Sequence, residues 1–404
     1  MSSPRLAITS AVLTVLLVTA LPVMTARRPR YGGMLRVEVG AAVKSLDPMV
    51  DTGSAEEAEA KEEINSLIYE GGGPHAAGFV FDARDDEKRH KPQTPGPFRL
   101  TAFEAGKRAV LAANEDYPQG RPFVDSIEIT MGRAARERIL DLELNKTDFA
   151  EIPAEDARRA AERGVRVSRS QPYELLALVF SRRPEPGGDR VNKRVREALA
   201  LSIDRAAIVN FILQKEGEPA GGLLPQWSSG TAFLFSTATD PVHAKELSAQ
   251  IVPAPKIVLG YDSGDSLEQA VAERIVVNAR EVGIRVTARA SRAGLDSGLD
   301  AELQRWRMIS KTPEPTLSLF RLMTEGLAKP DPTAPSLATP EGIYETERGI
   351  VGSYKVVPLV WLPRVYGLSA RVRDWTPPGP GESWPLADVW LDGPVEAAVE
   401  EGKK

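Results

Sequence analysis

The chain has 404 residues, which is enough for roughly two or three domains at about 150 residues per domain. Hydrophobic residues make up 42% and charged residues 26%, a composition typical of a globular protein with a sizeable core and not of a disordered chain. The net charge of −5, from 51 basic and 56 acidic residues, argues against a nucleic-acid partner. Cysteine is absent, which excludes disulfides, thiolate catalysis and cysteine-ligated zinc.

The N-terminal segment is the first informative feature. Residues 6–24 are almost wholly apolar, follow Arg5 and precede the basic stretch ARRPR. This pattern is typical of a secretory signal peptide with the small-residue triplet VTA as its cleavage site, and it also fits a retained single-span anchor. Residues 1–26 are therefore predicted to be a signal peptide or membrane anchor. The remainder is predicted to be periplasmic or extracytoplasmic.

Hydrophobic periodicity predicts an alternation of strands and helices along the chain. Strands are predicted at 34–39, 98–103, 108–114, 125–130, 148–152, 165–167, 173–181, 256–261, 284–290, 303–308 and 356–362. Helices are predicted at 55–69, 133–145, 154–163, 192–213, 266–282, 315–323 and 340–354, with a possible break at Asp204-Arg205. Two strand–helix–strand successions, at 125–152 and 256–290, predict right-handed crossovers and parallel strand pairing in an α/β fold.

Catalytic and metal-binding patterns are missing from the sequence. It has no GxGxxG after a strand, no Walker loop, no HExxH and no GxSxG motif. His75 and His90 lie in the Gly- and Pro-rich stretch 70–97 without ligand spacing, and His243 lies at a loop-to-helix junction. We therefore predict no enzyme activity, no cofactor and no metal. An exported chain with two α/β lobes favours a ligand cleft that closes by hinge motion.

Four segments resemble, in order, the family 5 extracellular solute-binding proteins, the peptide- and nickel-binding subunits of ABC importers. They are YGGMLRVEVGAAVKSLDPM, GPFRLTAFEAGKRAVLAANEDYPQGRPFVDSIEI, LNKTDFAEIP and VNKRVREALALSIDRAAIVNFILQKEGEPAGGLLPQW. The later segments at 267–286 and 354–375 look like the family's helix–strand unit and its C-terminal return to the first lobe. The order of all segments agrees with that of the family.

The resemblance implies a type II periplasmic-binding-protein fold, with two lobes around a ligand cleft and a reduced first lobe. The predicted divisions are 27–230 for the N-terminal part of lobe 1, 231–345 for the second lobe and 346–404 for the return to lobe 1 and the tail. The implied function is capture of a small-molecule or peptide ligand by a monomer that delivers it to an ABC permease in the inner membrane. The alternative is a repurposed relative that acts as a sensor or interaction module without transport.

Candidate ligand-binding residues come from the segments that match the edge of the family's cleft. They are Ser45, Leu46, Asp47, Phe180, Ser181, Trp227, Arg305, Trp306 and Arg307. Trp306 is expected either to stack on a ligand or to fill the core. If this segment is a strand, one of its flanking arginines faces the cleft, and either arginine could receive a carboxylate or simply be solvated at the surface. Peptide-binding members carry an acidic residue in a W-x-x-D-Y-P-D-P-like pattern, but here Ile309-Ser310-Lys311 stands in its place. This loss predicts weaker binding of zwitterionic peptides.

Overall fold

The computed structural model describes residues 28–70, 95–180, 191–229, 235–252, 256–291, 298–325 and 335–393. The predicted signal peptide or anchor, the segment with His75 and His90, and Ser181 lie outside these residues. Within the described ranges, none of the helices is both long and apolar enough to cross a membrane.

The longer helices and strands follow the predicted alternation, whereas the short elements at 218–219, 226–229, 365–368, 372–373 and 390–391 were not predicted. The strands are β1 (Met34–Glu38), β2 (Phe98–Glu104), β3 (Arg108–Ala113), β4 (Ser126–Thr130), β5 (Phe149–Ile152), β6 (Arg166–Arg169), β7 (Glu174–Phe180), β8 (Glu218–Pro219), β9 (Lys256–Asp262), β10 (Arg285–Ser291), β11 (Ala301–Arg307), β12 (Val356–Leu362), β13 (Val365–Leu368), β14 (Val372–Arg373) and β15 (Trp390–Leu391). The helices are α1 (Ala55–Ile68), α2 (Ala135–Glu143), α3 (Ala157–Glu162), α4 (Lys193–Ser202), α5 (Arg205–Ala207), α6 (Gln226–Ser229), α7 (Pro241–Ala249), α8 (Ser266–Glu281), α9 (Pro313–Glu325) and α10 (Pro340–Gly352).

Lobe 1 is built on a seven-stranded sheet of order β2-β3-β4-β1-β5-β13-β6. Strand β1 pairs in parallel with both β4 and β5, which confirms the parallel pairing predicted for the first strand–helix–strand succession. Ile127 and Ile129 are fully buried on one face of β4, as their alternation predicted. Gly106 adopts a φ of +71° in the tight turn between β2 and β3, a left-handed conformation that suits glycine.

Lobe 2 is built on a six-stranded sheet of order β10-β9-β11-β7-β12-β8. The parallel pair β9–β10, connected through α8, confirms the second predicted succession. The Asp265 carboxylate accepts from the backbone amides of Leu267 and Glu268 and so caps the start of α8, while Gly283 follows its end with a φ of +82°. Local sequence signals therefore define this helix at both ends.

The chain crosses between the sheets twice, at 170–173 between β6 and β7 and at 363–364 between β12 and β13. The boundaries of lobe 2 therefore lie at these crossings and not at the predicted residues 230 and 345, because the strands of its sheet begin with β7 and end with β12. The strand β13 was not predicted at all. It returns to lobe 1 and pairs antiparallel with β5 and β6.

Candidate functional site

The two crossings lie side by side between the lobes and are hydrogen-bonded to each other. The Ser170 amide donates to the Arg364 carbonyl at 3.0 Å, and the Arg364 amide donates to Ser170 Oγ at 2.9 Å. The Tyr173 amide donates to the Leu362 carbonyl at 3.1 Å. Paired connecting strands of this kind can act as a hinge, since a few residues absorb the change in backbone angle while the lobes stay rigid.

Arg305 and Arg307 project from β11 toward lobe 1 and share one carboxylate. Arg305 Nη1 donates to Glu174 Oε1 at 2.8 Å, and Arg307 Nη2 donates to Glu174 Oε2 at 2.9 Å. Arg305 Nη2 also lies 2.5 Å from an Asp265 carboxylate oxygen at the start of α8. Because residues two apart on a strand share a face, both arginines take part, whereas the sequence reasoning expected one of them to face the cleft.

Electrostatics at Glu174 favour the ionised carboxylate. Burial by itself would raise the pKa of Glu174, but Arg305 and Arg307 outweigh it and lower the pKa to about 2. The pKa values of both arginines are raised in return, since their neighbouring carboxylates outweigh the effect of burial. The three groups are therefore charged at neutral pH.

Lobe 1 and its crossing contribute a second set of charges around Arg364. Arg364 Nη1 lies 3.2 Å from Glu63 Oε1, its Nε lies 3.0 Å from Glu151 Oε1, and its Nη2 lies 2.6 Å from Glu59 Oε1. Glu59 also forms an ion pair with Arg307, which joins the two lobes. We call these eight residues the interlobe charge cluster: Glu59, Glu63, Glu151, Glu174, Asp265, Arg305, Arg307 and Arg364.

Two of the carboxyls beside Arg364, the buried Glu63 and the partly exposed Glu151, have pKa values shifted in opposite directions. Burial raises the pKa of Glu63 to about 7, although Arg364 and the backbone amide of Trp384 oppose the shift. Burial also disfavours the charge on Glu151, but Arg364 outweighs it and lowers the pKa of Glu151. Burial thus favours the neutral form of Glu63, whereas Arg364 favours the ionised form of Glu151.

Two further contacts join the lobes outside the cluster. Ser266 Oγ at the start of α8 donates to Glu155 Oε1 of lobe 1 at 3.0 Å. Lys311, which follows β11, forms an exposed ion pair with Glu382 of the C-terminal segment that packs on lobe 1. The lobes are therefore in contact at several separate points.

The other predicted site residues fall in different places. Trp306 is 2% exposed and packs on Phe320 with ring centroids 5.1 Å apart, so it fills the core of lobe 2 in this structure. Phe180 is likewise a core residue at the far end of β7. Trp227 is partly exposed, and its Nε1 donates to the Pro172 carbonyl of the first crossing at 3.0 Å.

The predicted residues after β1 form a local turn. The Asp47 amide donates to Ser45 Oγ at 3.2 Å, and the Met49 amide donates to Asp47 Oδ1 at 2.9 Å. The Leu46 carbonyl accepts from Asn65 Nδ2 of α1 at 3.0 Å. Within the described part of the chain, this turn makes no hydrogen bond or ion pair with the interlobe charge cluster, and a direct role in ligand binding remains a prediction.

The sequence reasoning missed Glu174 and Arg364, although a signal was present. Each is a lone charge beside a long apolar run, in YELLALVF and in VVPLVWLPRVYGL. Charged residues are almost never buried unless they are paired, so such positions point to buried ion pairs. Among the described residues, no cluster of histidine, aspartate and glutamate has the arrangement of a metal site, and the cluster's carboxylates lie beside arginines.

Comparison with known proteins agrees with this architecture. A family model described as bacterial extracellular solute-binding proteins, family 5 Middle, matches residues 58–326. The chain belongs to this family. Among curated proteins, this chain is 28% identical to the oligopeptide-binding protein AppA of Bacillus subtilis over 143 residues, which cover 35% of this chain and 26% of AppA. It is 27% identical to the nickel-binding protein NikA of Staphylococcus aureus over 156 residues, which cover 38% of this chain and 31% of NikA.

These sequence matches span well under half the length of either curated relative, so they do not extend the relatives' ligands to this chain. Solved structures show the fold over a longer range. The structure of the oligopeptide-binding protein AppA of Bacillus subtilis in complex with a nonapeptide matches with a TM-score of 0.65 at 14% identity, covering 91% of this chain and all of that chain. The substrate-binding protein CtaP of Listeria monocytogenes matches with a TM-score of 0.70 at 14% identity, and the match covers 90% of this chain and 100% of CtaP. This chain therefore has the type II periplasmic-binding fold.

Proposed function

We propose that the protein is exported, captures a small solute between its lobes and delivers it to an ABC permease in the inner membrane. Family membership supports capture of a solute, and the observation that carries the proposal is the Arg307–Glu59 ion pair across the two lobes. Arg307 lies on lobe 2 and Glu59 on lobe 1, so this contact forms only when the lobes meet. A ligand bound between them would make the same kind of bridge.

The hinge and the charge cluster have complementary roles in this proposal. The paired crossings allow the lobes to separate, and Glu174 holds Arg305 and Arg307 in position from within lobe 2. An arginine that is fixed before the ligand arrives loses less conformational freedom on binding. Glu174 is therefore a positioning residue, and Arg307 is the residue proposed to meet the ligand.

The test is a thermal-shift screen of peptides, amino acids, sugars and metal chelates against the wild type and Arg307→Gln. A ligand at 100 times its Kd stabilises by about 2.7 kcal/mol, which raises the melting temperature measurably. We expect at least one class to stabilise the wild type and to lose most of that effect in Arg307→Gln. The control is Arg99→Gln, since Arg99 forms an exposed pair with Asp116 on lobe 1. A screen in which nothing stabilises the wild type contradicts solute capture.

A sensor or interaction module without transport is the second candidate. It is favoured by Lys311, which stands where peptide-binding members carry an acidic residue and which pairs with Glu382. Stimulation of the ATPase activity of a reconstituted permease by the loaded protein separates the two candidates. Stimulation supports transport, and ligand binding without stimulation supports the sensor.

A further inference from the structure

We propose that the two lobes close with uptake of protons, so that mildly acidic surroundings favour the closed form of the protein even without a solute. The cause is an excess of carboxyl groups over guanidinium groups where the lobes meet. This inference goes beyond solute capture, since it concerns the equilibrium between the open and closed forms themselves.

Lobe 2 presents a group of acidic residues around the start of α8. Asp262 ends β9, and its amide donates to a Glu268 carboxylate oxygen at 2.8 Å. Asp265 caps α8 and lies 2.5 Å from Arg305 Nη2. The Arg305 guanidinium is shared with Glu174 and so balances only part of this negative charge.

Lobe 1 brings two further carboxyl groups to the same place when the lobes meet. Glu155 accepts a hydrogen bond from the hydroxyl of the first residue of α8 at 3.0 Å. Glu56 lies in the first turn of α1, where Asp262 and Asp265 of lobe 2 repel its charge. Among the described residues, closure therefore gathers two carboxyl groups from lobe 1 and three from lobe 2 near the single guanidinium of Arg305.

The charges around Glu56 favour its neutral form. The charged groups that face it come from lobe 2, from α2 and from its own helix: Asp262, Asp265, Arg305, Arg138 and Glu59. Partial burial raises the pKa of Glu56 and the neighbouring carboxylates raise it further, whereas the Arg305 guanidinium opposes the shift. Glu56 stays accessible to solvent at the edge of the interface, and water screens part of the repulsion.

Glu155 and Glu268 are shifted in the same direction. Burial raises the pKa of Glu155 and Asp265 adds to the shift, although hydrogen bonds from its own amide and from the first residue of α8 oppose it, as does Arg305. Burial also raises the pKa of Glu268 to about 7, with Asp265 and Asp262 adding to the shift and the Asp262 amide and Arg305 opposing it. A carboxyl group in water keeps its ordinary pKa, so the closed form binds protons that a hydrated, open form releases.

The ion pairs that hold the lobes together persist in the same pH range. Burial would raise the pKa of Glu174, but Arg305 and Arg307 hold it at about 2. Arg364 likewise outweighs burial and lowers the pKa of Glu151. Both carboxylates stay ionised at pH 5, so mild acid removes repulsion and leaves attraction. Because the responsive groups have raised pKa values, their contribution to closure is complete below about pH 4.5 and is lost as the pH rises through 7.

The experiment counts open and closed molecules by single-molecule FRET without any solute. The chain has no cysteine, so the exposed positions Asp116 on lobe 1 and Val242 on lobe 2 can be labelled specifically as Asp116→Cys and Val242→Cys. Uptake of one proton on closing changes the closed-to-open ratio by up to about tenfold per pH unit. We expect the ratio to fall by at least about threefold per pH unit from pH 5 to pH 7 at constant ionic strength.

A double variant tests which carboxyl groups are responsible. Glu56→Gln with Glu155→Gln removes both charges of lobe 1 and keeps the hydrogen-bond acceptors. We expect it to raise the closed-to-open ratio at pH 7.5 at least about threefold and to flatten the dependence on pH. The matched control is Glu104→Gln with Glu162→Gln, which removes two charges from exposed pairs of the same lobe and should behave as the wild type.

A closed-to-open ratio that is constant or rises between pH 5 and pH 7 overturns the proposal. So does a double variant with the ratio and slope of its control, provided that far-UV circular dichroism shows both to be folded. If the ratio ignores pH while a solute in the screen stabilises the protein, this inference fails and solute capture stands. If closure follows pH but no solute binds, solute capture fails and this inference stands.

Discussion

Replacing Glu174 with glutamine should destabilise the protein more than any exposed ion-pair substitution. The change removes the one carboxylate that Arg305 and Arg307 share and leaves both guanidinium groups close together. Truncating one partner of a buried ion pair costs about 3–5 kcal/mol. The arginine side chains are 35% and 33% exposed, so water recovers part of that cost. Asp265 and Glu59 also remain as partners, and we expect a loss of about 2 kcal/mol.

Differential scanning calorimetry at pH 7 measures this loss as a lower apparent melting temperature. The entropy of unfolding is about 2.1 cal/mol/K per residue, so in a chain of 404 residues a loss of 1 kcal/mol lowers the melting temperature by about 1 °C, and the expected decrease for Glu174→Gln is about 2–3 °C. The exposed pair Arg158–Glu162 is the control, and Glu162→Gln should change stability by less than about 1 kcal/mol. A decrease no larger than that of the control refutes the reasoning.

The pH dependence of the same variant provides a second measurement. The pKa of Glu174 in the folded protein is about 2, below its usual value of 4.5. Its contribution to the free energy of unfolding is therefore complete above about pH 4.5 and is lost as the pH falls toward 2. The difference in melting temperature between the wild type and Glu174→Gln should therefore narrow on acidification. A constant difference from pH 7 down to the lowest pH at which both proteins fold would contradict this linkage.

Two further predictions concern Glu347 and Gly381. Burial raises the pKa of Glu347 to about 7, so its contribution to stability is complete below about pH 4.5 and is lost as the pH rises through 7. The melting temperature should fall less steeply between pH 5 and pH 8 in Glu347→Gln than in the wild type, and equal slopes would exclude this carboxyl as a cause. Gly381 has a φ of +72°, and a Cβ there would lie 2.5 Å from the Ile309 carbonyl oxygen across the lobes. Gly381→Ala should increase the radius of gyration in small-angle X-ray scattering, whereas Gly106→Ala, with a φ of +71° and only an ordinary contact at 3.7 Å to Ala42, should not. Equal radii for the two variants would show that Gly381 does not limit the approach of the lobes.

The sequence predicted most of the secondary structure because helix caps and hydrophobic periodicity depend on residues that are close together along the chain. The helix predicted at 266–282 is α8, with a capping aspartate before it and a glycine after it. The break predicted at Asp204 is also present, since its side chain accepts from the Ala207 amide at the start of a new helix. The short strand β13 was missed because its four residues include a glycine and show no alternation of apolar and polar positions.

The division into lobes could not be predicted from the same signals. The run that forms β7 is buried on both faces, and an apolar strand of this kind fits the centre of either sheet. Its pairing with β11 and β12 is set by residues far along the chain, so the boundary predicted near residue 230 was wrong. The same pairing determines which face of β11 packs against the core of lobe 2. Trp306 lies on that face, and the two arginines lie on the opposite face.

The sequence by itself determined the family, through ordered segments that match its members, and the positions of most helices and strands, through periodicity and caps. Only the tertiary structure showed that Glu59, Glu174 and Arg364 join the predicted arginines in one cluster. Periodicity and capping act over a few residues and can be read along the chain. An ion pair is stable in a buried place only when partners from distant segments meet there, and that meeting depends on the pairing of whole strands.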